Sequence, residues 1–308
     1  MSAPLAFNTG MDFAYGAPRE VVPGVYRIVA ENPGPLTFKG TNTYVLGDRE
    51  LIVIDPGPDD AAHRAAILRH AAGRPVRHIL LTHTHKDHSA GLEALKAATG
   101  AATAGYGATD GERGVAHEDP RARSFVDDSF KPDRRLRDGD RIVVAGVGLT
   151  VLHTPGHAPD HLCFALDGGA ALFSGDHVMG WNTTVVAPPE GRMQDYMASL
   201  ERLIARDDGV FLAGHGEVIR EPQRICRAYA IHRRARETAI LEAVRAGLGT
   251  IDEIARRLYG TLEKTIFYAA CLSCLAHLES LQERGLVSCE GPPTLRSVFS
   301  ASPQPSPR

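Results

Sequence analysis

The sequence predicts an α/β fold in which helices cover the faces of sheets, followed by a mainly helical C-terminal segment. The chain has 308 residues, of which 43% are hydrophobic, enough for a sizeable core. Between about residues 25 and 216, short segments rich in Val, Ile and Leu alternate with helical segments. After Gly216 the strand-like segments give way to long helical ones. These observations together predict one α/β domain and a separate smaller module.

The predicted strands are apolar segments bounded by Gly, Pro or Asp, at 25–29, 43–46, 51–55, 76–82, 141–144, 149–153, 162–166, 170–174 and 210–213. Helical spacing predicts helices at 59–72, 89–99 and 194–206. Residues 105–138 are polar and rich in Gly and Arg, which predicts a long surface excursion. We expect this excursion and the segment 32–43 to form walls of a substrate pocket.

The C-terminal segment predicts two shorter helices and a wing after one long helix. The long helix covers 221–246 and is broken by Gly247 and Gly249. The sequence TIDE at 250–253 is a capping box that starts the next helix, and a third follows over 262–284. Residues 287–298 predict a two-stranded wing, so this part resembles a winged-helix module. We expect domains at 1–220 and 221–300, and a disordered Pro- and Ser-rich tail at 301–308.

Charge and cysteine content narrow the function classes. The formal net charge is -3, and residues 249–299 carry five Lys or Arg against six Asp or Glu, which argues against a dedicated nucleic-acid reader. The helix at 221–246 is rich in Arg, so the alternative that one of its faces guides an anionic substrate stays open. Five scattered cysteines, no signal-peptide pattern and no apolar segment of about 20 residues predict a cytoplasmic protein that does not enter a membrane.

The strongest chemical signal directly follows the predicted strand 76–82. The sequence HTHKDH places His83, His85, Asp87 and His88 within six residues of a strand-to-helix loop. Imidazole and carboxylate ligands suit zinc or iron, and one catalytic zinc needs about three protein ligands. This segment therefore carries enough donors to contribute to two metal sites.

Three later segments have the same form, with a strand that leads into a polar residue beside glycine. They are HTPGH, LFSGDH and FLAGHG, and they offer His157, Asp176 and His215. Strand ends at one edge of a sheet are where α/β enzymes gather their sites. His161 is a further candidate, either as a support for a ligand or as a donor to substrate, whereas we expect His177 to point away.

In this order the motifs HTHKDH, TPGH, SGDH and GHG resemble the metallo-β-lactamase superfamily. The segments GTNTYVLG at 40–47 and IDPG at 54–57 resemble the opening strands of that family. The resemblance implies a four-layer αβ/βα sandwich with a two-metal site. Together with the C-terminal module, the chain resembles the β-lactamase-like protein 2 subfamily, whose members include single-stranded-RNA endonucleases.

The resemblance also implies a role for each candidate residue. His83, His85 and His157 would bind one metal, Asp87, His88 and His215 would bind the other, and Asp176 would bridge them. Asp87 would also be catalytic, because it would orient the nucleophile and move a proton. Asp55 would orient a ligand histidine. The implied cofactors are two Zn²⁺ per chain, with Fe or Mn as alternatives.

The implied activity is that of a dinuclear zinc hydrolase whose metal-bridging hydroxide attacks an ester, thioester or lactone bond. The natural substrate stays open at this point. The alternatives are a single-stranded-RNA endoribonuclease and a mono-iron persulfide dioxygenase. The expected partners are therefore a small-molecule ester or thioester, or single-stranded RNA, and the C-terminal module leaves a homodimer open.

Overall fold

The computed structural model of the chain describes residues 7–107 and 125–303. Its strands are β1 (Arg19–Val22), β2 (Val25–Val29), β3 (Asn42–Leu46), β4 (Leu51–Ile54), β5 (Val76–Leu80), β6 (Ala102–Gly105), β7 (Arg134–Arg135), β8 (Arg141–Val144), β9 (Val147–His153), β10 (Leu162–Leu166), β11 (Ala171–Gly175), β12 (Val210–Ala213), β13 (Val287–Ser288) and β14 (Ser300–Ala301). Its helices are α1 (Ala61–Ala71), α2 (Lys86–Ser89), α3 (Leu92–Thr99), α4 (Met193–Ile204), α5 (Pro222–Arg245), α6 (Ile251–Tyr259) and α7 (Lys264–Glu283).

Two sheets form the α/β part of the molecule. The first has the order β1-β2-β3-β4-β5-β6-β7, antiparallel up to β4 and parallel from β4 to β7. The second has the order β12-β11-β10-β9-β8, in which only β11 and β12 are parallel. Each predicted strand overlaps an observed one. The short strands β1, β6 and β7 were not predicted, because β6 and β7 contain no Val or Ile and β1 has only two adjacent valines at its end.

The four-layer arrangement is visible in the alternation of side chains along single strands. Ile52 and Ile54 of β4 pack between the two sheets, whereas Leu51 and Val53 pack with residues of α1 and α3. In β10, Leu162 and Phe164 join the core between the sheets, and Cys163 and Ala165 join the core formed with α4 and α5. Because both faces of these strands are buried, their sequences are continuously apolar. The predicted sandwich is confirmed.

The C-terminal segment forms its own core beside the sandwich. The second half of α5 packs with α6, α7 and the β13–β14 hairpin around residues such as Val244, Ile254, Leu278 and Phe299. The predicted capping box is present, since Thr250 and Glu253 bond each other's backbone N–H groups.

Two boundaries differ from the expectations. Val287 pairs with Ala301, so the hairpin extends beyond residue 298 and into the first residue of the predicted tail. Residues 304–308 lie outside the described part of the chain. The excursion 105–138 also includes residues 108–124, which are outside it as well. The segment 125–138 is not only surface, because Phe130 is buried in the core with α1 and α3.

Among the described residues, no helix is both long enough and apolar enough to span a bilayer.

A buried imidazole in α1 predicts a pH dependence of stability. His63 is 3% exposed and its Nε2 lies 2.7 Å from Thr43 Oγ1. Burial lowers the pKa of His63 to about 4 from 6.5. Between these values the unfolded chain binds the proton and the folded chain does not, so stability falls as the pH drops from 6.5 towards 4, by about 3 kcal/mol in total.

Urea unfolding at several pH values checks this expectation against His63→Gln, which keeps an amide group near Thr43. The slope of unfolding free energy against pH should be smaller in the variant by about one proton between pH 4 and 6.5. Equal slopes in the two proteins would show that His63 is not the group responsible.

Candidate metal centre

The predicted site residues follow strands of both sheets that end at one edge of the sandwich. Asp55 follows β4 and His83 lies just beyond β5, which are parallel neighbours. Asp176 and His215 follow β11 and β12, which are also parallel. The sheets are joined here, because Leu162 N donates to Thr82 O at 2.7 Å and Asn42 N donates to Gly214 O at 2.8 Å. Residues from distant parts of the sequence therefore meet at this edge.

Three imidazole nitrogens form the first donor group. His85 Nδ1 lies 2.9 Å from His83 Nε2 and 3.1 Å from His157 Nε2. The three atoms are close enough to bind one metal ion together. A cluster of three histidines is a common ligand set for catalytic zinc.

A second donor group lies beside the first. His215 Nε2 is 3.2 Å from Asp87 Oδ2 and 3.3 Å from His88 Nε2, and the last two atoms, Asp87 Oδ2 and His88 Nε2, are 3.5 Å apart. His88 and His215 are buried, whereas the Asp87 side chain is 29% exposed. This group could hold a second ion, with Asp87 on its open side.

Asp176 lies between the two groups. Its Oδ2 is 3.4 Å from His215 Nε2 and 3.8 Å from His157 Nε2. Its Oδ1 is buried and makes no hydrogen bond among the described residues. A buried carboxylate oxygen without a hydrogen bond is costly, which is explained if a cation takes that position.

The outer nitrogens of these histidines fix which ring atom faces inward. His157 Nδ1 donates to Val185 O at 2.7 Å, and His215 Nδ1 donates to Gly40 O at 3.2 Å. His88 Nδ1 lies 2.9 Å from Asp55 Oδ2, an oxygen that can only accept when the carboxyl is charged. In each of these rings Nε2 is therefore the nitrogen that faces the centre, where it can bind a metal once it carries no proton.

The tautomer of His83 follows from a chain of hydrogen bonds. Thr82 Oγ1 donates its single proton to Asp55 Oδ2 at 2.8 Å, so it accepts from His83 Nδ1 at 2.9 Å. The Nε2 atom of His83 is then free to bind a cation. Asp55 also accepts from Thr82 N at 2.8 Å, and thus holds both the loop and one ring in place.

The electrostatics of the centre suit a cation. Burial lowers the pKa of His157 to about 4 and that of His83 well below its usual value, which keeps both rings neutral. Burial alone would raise the pKa of Asp176 and Asp87, but the adjacent His215 and His88 hold both values low, so both carboxylates are charged. Burial opposes protonation of His215, yet Asp176 and Asp87 raise its pKa to about 9. A bound cation would replace that proton.

His161 and His177 lie behind the ligand groups. His161 is fully buried, its Nδ1 lies 2.9 Å from Thr154 Oγ1, and its Nε2 accepts from Asp176 N at 3.1 Å. Both nitrogens are engaged with the protein, which favours the prediction that His161 supports a ligand over the prediction that it donates to substrate. His177 is also buried, and its ring packs against Tyr196 with centroids 4.5 Å apart.

The structure adds three residues that the sequence analysis did not single out. Glu190 Oε2 lies 3.3 Å from His85 Nε2, and the Thr184 hydroxyl donates to Asp176 O at 2.7 Å. Thr82 links Asp55 to His83. Thr82 directly precedes HTHKDH and could have been noticed there, whereas Glu190 and Thr184 lie in a loop without a strand or spacing signal.

Gly214 allows the backbone before His215 to pass close to the side chains of Asp176 and His88. A Cβ atom at this position would overlap Asp176 Oδ1 and would lie 2.7 Å from His88 Cε1. We expect Gly214→Ala to weaken metal binding by about tenfold or more, because ligands must shift away from their positions. Titration of the metal-free protein with Zn²⁺ checks this, with Gly10→Ala as a control, since Gly10 is exposed and a Cβ there would meet only the side chain of Asn8, at 3.3 Å. Equal affinities for Gly214→Ala and wild type would contradict it.

Comparison with known proteins identifies the two parts of the chain. Residues 36–215 match the metallo-beta-lactamase superfamily, and residues 250–292 match the beta-lactamase associated winged helix domain. A metallo-beta-lactamase family protein of Thermus thermophilus superposes with a TM-score of 0.73 at 28% identity, over 92% of this chain and 100% of that one.

Curated relatives cover most of the chain. A beta-lactamase-like protein 2 homolog of Drosophila melanogaster is 32% identical over 85% of this chain and 88% of its own length. An atrochrysone carboxyl ACP thioesterase of Claviceps purpurea is 28% identical over 78% of this chain and 74% of its own length. The chain therefore belongs to the metallo-β-lactamase superfamily and is a metal-dependent hydrolase with the associated winged-helix domain.

Proposed function

We propose that the protein is a dinuclear zinc hydrolase that cleaves a carbonyl ester, thioester or lactone bond. The observation that carries this proposal is the presence of two complete donor groups with Asp176 between them. In this proposal His83, His85 and His157 hold one ion, Asp87, His88 and His215 hold the other, and Asp176 contacts both. Mixed imidazole and carboxylate ligands suit Zn²⁺ and also accept Fe or Mn.

The chemistry divides between the cations and the side chains. Two bound cations would lower the pKa of a water molecule and stabilise negative charge on the attacked carbonyl oxygen. Asp87 is the ligand residue whose carboxylate faces the open side, so it can orient the attacking water and pass a proton to the leaving group. Asp55 keeps His88 in the tautomer that binds a metal. Apart from His85, the remaining ligands are buried, which limits the access of bulk water.

The substrate class is supported by a relative and by charge. The Claviceps purpurea relative is named as a thioesterase, which supports the proposal that a similar chain hydrolyses an acyl bond. Several arginines of α5, in contrast, have partners within the protein. Arg224 pairs with Glu221, Arg234 with Glu201, and the ring of Tyr259 packs under Arg236. These partners reduce the positive charge that the helix could offer to a long polyanion.

Cleavage of single-stranded RNA and oxidation at a single iron are competing outcomes of the test. RNA hydrolysis would need cations along the path of the strand, whereas the winged-helix residues have a small negative excess. A single iron would use the first donor group and leave the second, equally complete group without a cation. The predicted homodimer stays a prediction, which light scattering on the purified protein can check.

A parallel assay tests the proposal. The zinc-loaded protein is offered acyl thioesters, lactones, aryl esters and a single-stranded oligoribonucleotide, before and after removal of metal with a chelator. We expect turnover of at least one carbonyl substrate, its loss on chelation, and its return with Zn²⁺. Cleavage of the oligoribonucleotide alone would establish the nuclease instead. Oxygen consumption with persulfide by the iron-loaded form would establish the dioxygenase.

A further inference from the structure

We propose that Arg233, a residue of the long helix α5, is a positioning residue for the bridging ligand Asp176. If so, the C-terminal helices complete the metal centre and are more than an appended module. The proposal rests on the proposed function only in taking Asp176 as a metal ligand. It concerns Arg233 and Thr184, two residues that are not metal ligands and that lie outside both donor groups.

Arg233 is a buried cation at the junction of three elements. It is 4% exposed, and its Nη2 donates to Thr184 O in the loop that follows Asp176. Its Nη1 lies 3.5 Å from Ser273 Oγ of α7, and its guanidinium carbon is 5.3 Å from the centroid of the Tyr196 ring in α4. Burying a guanidinium is costly, so a site that keeps one usually uses its fixed geometry.

Thr184 passes this restraint to the bridging ligand. Its hydroxyl donates to Asp176 O at 2.7 Å and lies 3.1 Å from His177 O. Arg233 therefore fixes the backbone carbonyl of Thr184, and the hydroxyl of Thr184 in turn fixes the backbone carbonyl of Asp176. The Tyr196 hydroxyl, beneath the same guanidinium, donates to His177 O at 3.0 Å.

The other side of Asp176 is fixed from within the sandwich. Its N–H donates to His161 Nε2 at 3.1 Å. The carboxylate itself contacts other ligand residues, since Oδ2 is 3.4 Å from His215 Nε2 and Oδ1 is 3.5 Å from His88 Nε2. Support from outside the donor groups reaches Asp176 through its backbone, from His161 on one side and from Thr184 with Arg233 on the other.

A ligand whose support from outside the donor groups reaches it through its backbone should lose affinity for metal when that backbone is released. We expect Arg233→Met and Thr184→Val each to weaken Zn²⁺ binding by about 10- to 100-fold, the usual effect of losing a support behind a metal ligand. Thr184→Ser keeps the hydroxyl and should bind Zn²⁺ as the wild type does. Arg234→Met is the matched control, since Arg234 is exposed on the same helix and pairs with Glu201.

The experiment is a competition titration of each metal-free protein with Zn²⁺ against a chromogenic chelator, together with circular dichroism. The double variant Arg233→Met/Thr184→Val should be no weaker than the weaker single variant, because both residues act through one connection. Losses that multiply in the double variant, or wild-type affinity in both single variants, would overturn the proposal. If Arg233→Met does not fold, Thr184→Val against Thr184→Ser decides, and equal affinities there overturn it. Failure of the wild type to bind Zn²⁺ would instead contradict the proposed function.

Discussion

Replacement of Asp87 by alanine is expected to reduce kcat/KM by about two orders of magnitude or more while leaving the fold intact. Asp87 contributes Oδ2 to the second donor group, 3.2 Å from His215 Nε2, and it is the ligand carboxylate that reaches the open side. The variant removes one ligand of a cation and the group that we assign to proton transfer. A hundredfold loss corresponds to about 2.7 kcal/mol of transition-state stabilisation.

Steady-state kinetics on the best carbonyl substrate, with metal content measured on the same samples, test this expectation. Asp48→Ala is a suitable control, because Asp48 is an exposed aspartate in the turn between β3 and β4. Circular dichroism of both variants establishes whether the fold is kept. Unchanged kcat/KM in Asp87→Ala would remove Asp87 from the mechanism.

The second large effect is expected for Asp55→Asn, a substitution that keeps the size of the side chain. Asp55 is 2% exposed and accepts from Thr82 N, Thr82 Oγ1 and His88 Nδ1. An amide supplies one oxygen and one NH₂ group. The backbone N–H of Thr82 can only donate, so the amide oxygen would face it and the NH₂ group would replace Oδ2, facing Thr82 Oγ1 and His88 Nδ1. To accept from that group His88 would have to move its proton to Nε2, the atom that faces the centre.

We therefore expect Asp55→Asn to weaken binding of the second Zn²⁺ by about 10- to 100-fold, with a smaller effect on the first. Asp60→Asn is the control, since Asp60 only caps the start of α1. A calorimetric titration of the metal-free protein with Zn²⁺ separates the two binding steps. An Asp55→Asn protein that binds both ions with wild-type affinity would show that Asp55 does not set the tautomer of His88.

Much of the architecture could be predicted because burial on both faces leaves a strong mark on a strand. Sequences such as LIVI in β4 and LCFAL in β10 are apolar throughout, and Gly, Pro or Asp marks their ends. The short edge strand β7 consists of Arg134 and Arg135 and has no such mark, since its pairing with β6 depends on the backbone alone. Local sequence cannot predict a strand of this kind.

The candidate ligands could be found because each follows a strand and five of the seven are histidines. Their supporting partners were harder to find. Asp55 belongs to a motif and was predicted, but Thr184, Glu190 and Arg233 lie in loops or helices with no distinctive spacing. His161 shows the converse, since its place in the sequence left a substrate contact open and the folded chain turns both nitrogens to the protein. Such contacts depend on how distant segments pack.

The central claim is that two cations share Asp176, and anomalous diffraction from zinc-loaded crystals tests it most directly. We predict two zinc peaks per chain, one beside His83, His85 and His157 and one beside Asp87, His88 and His215, with a carboxylate oxygen of Asp176 reaching each. A single peak under saturating Zn²⁺, or two peaks that Asp176 does not join, would contradict the account.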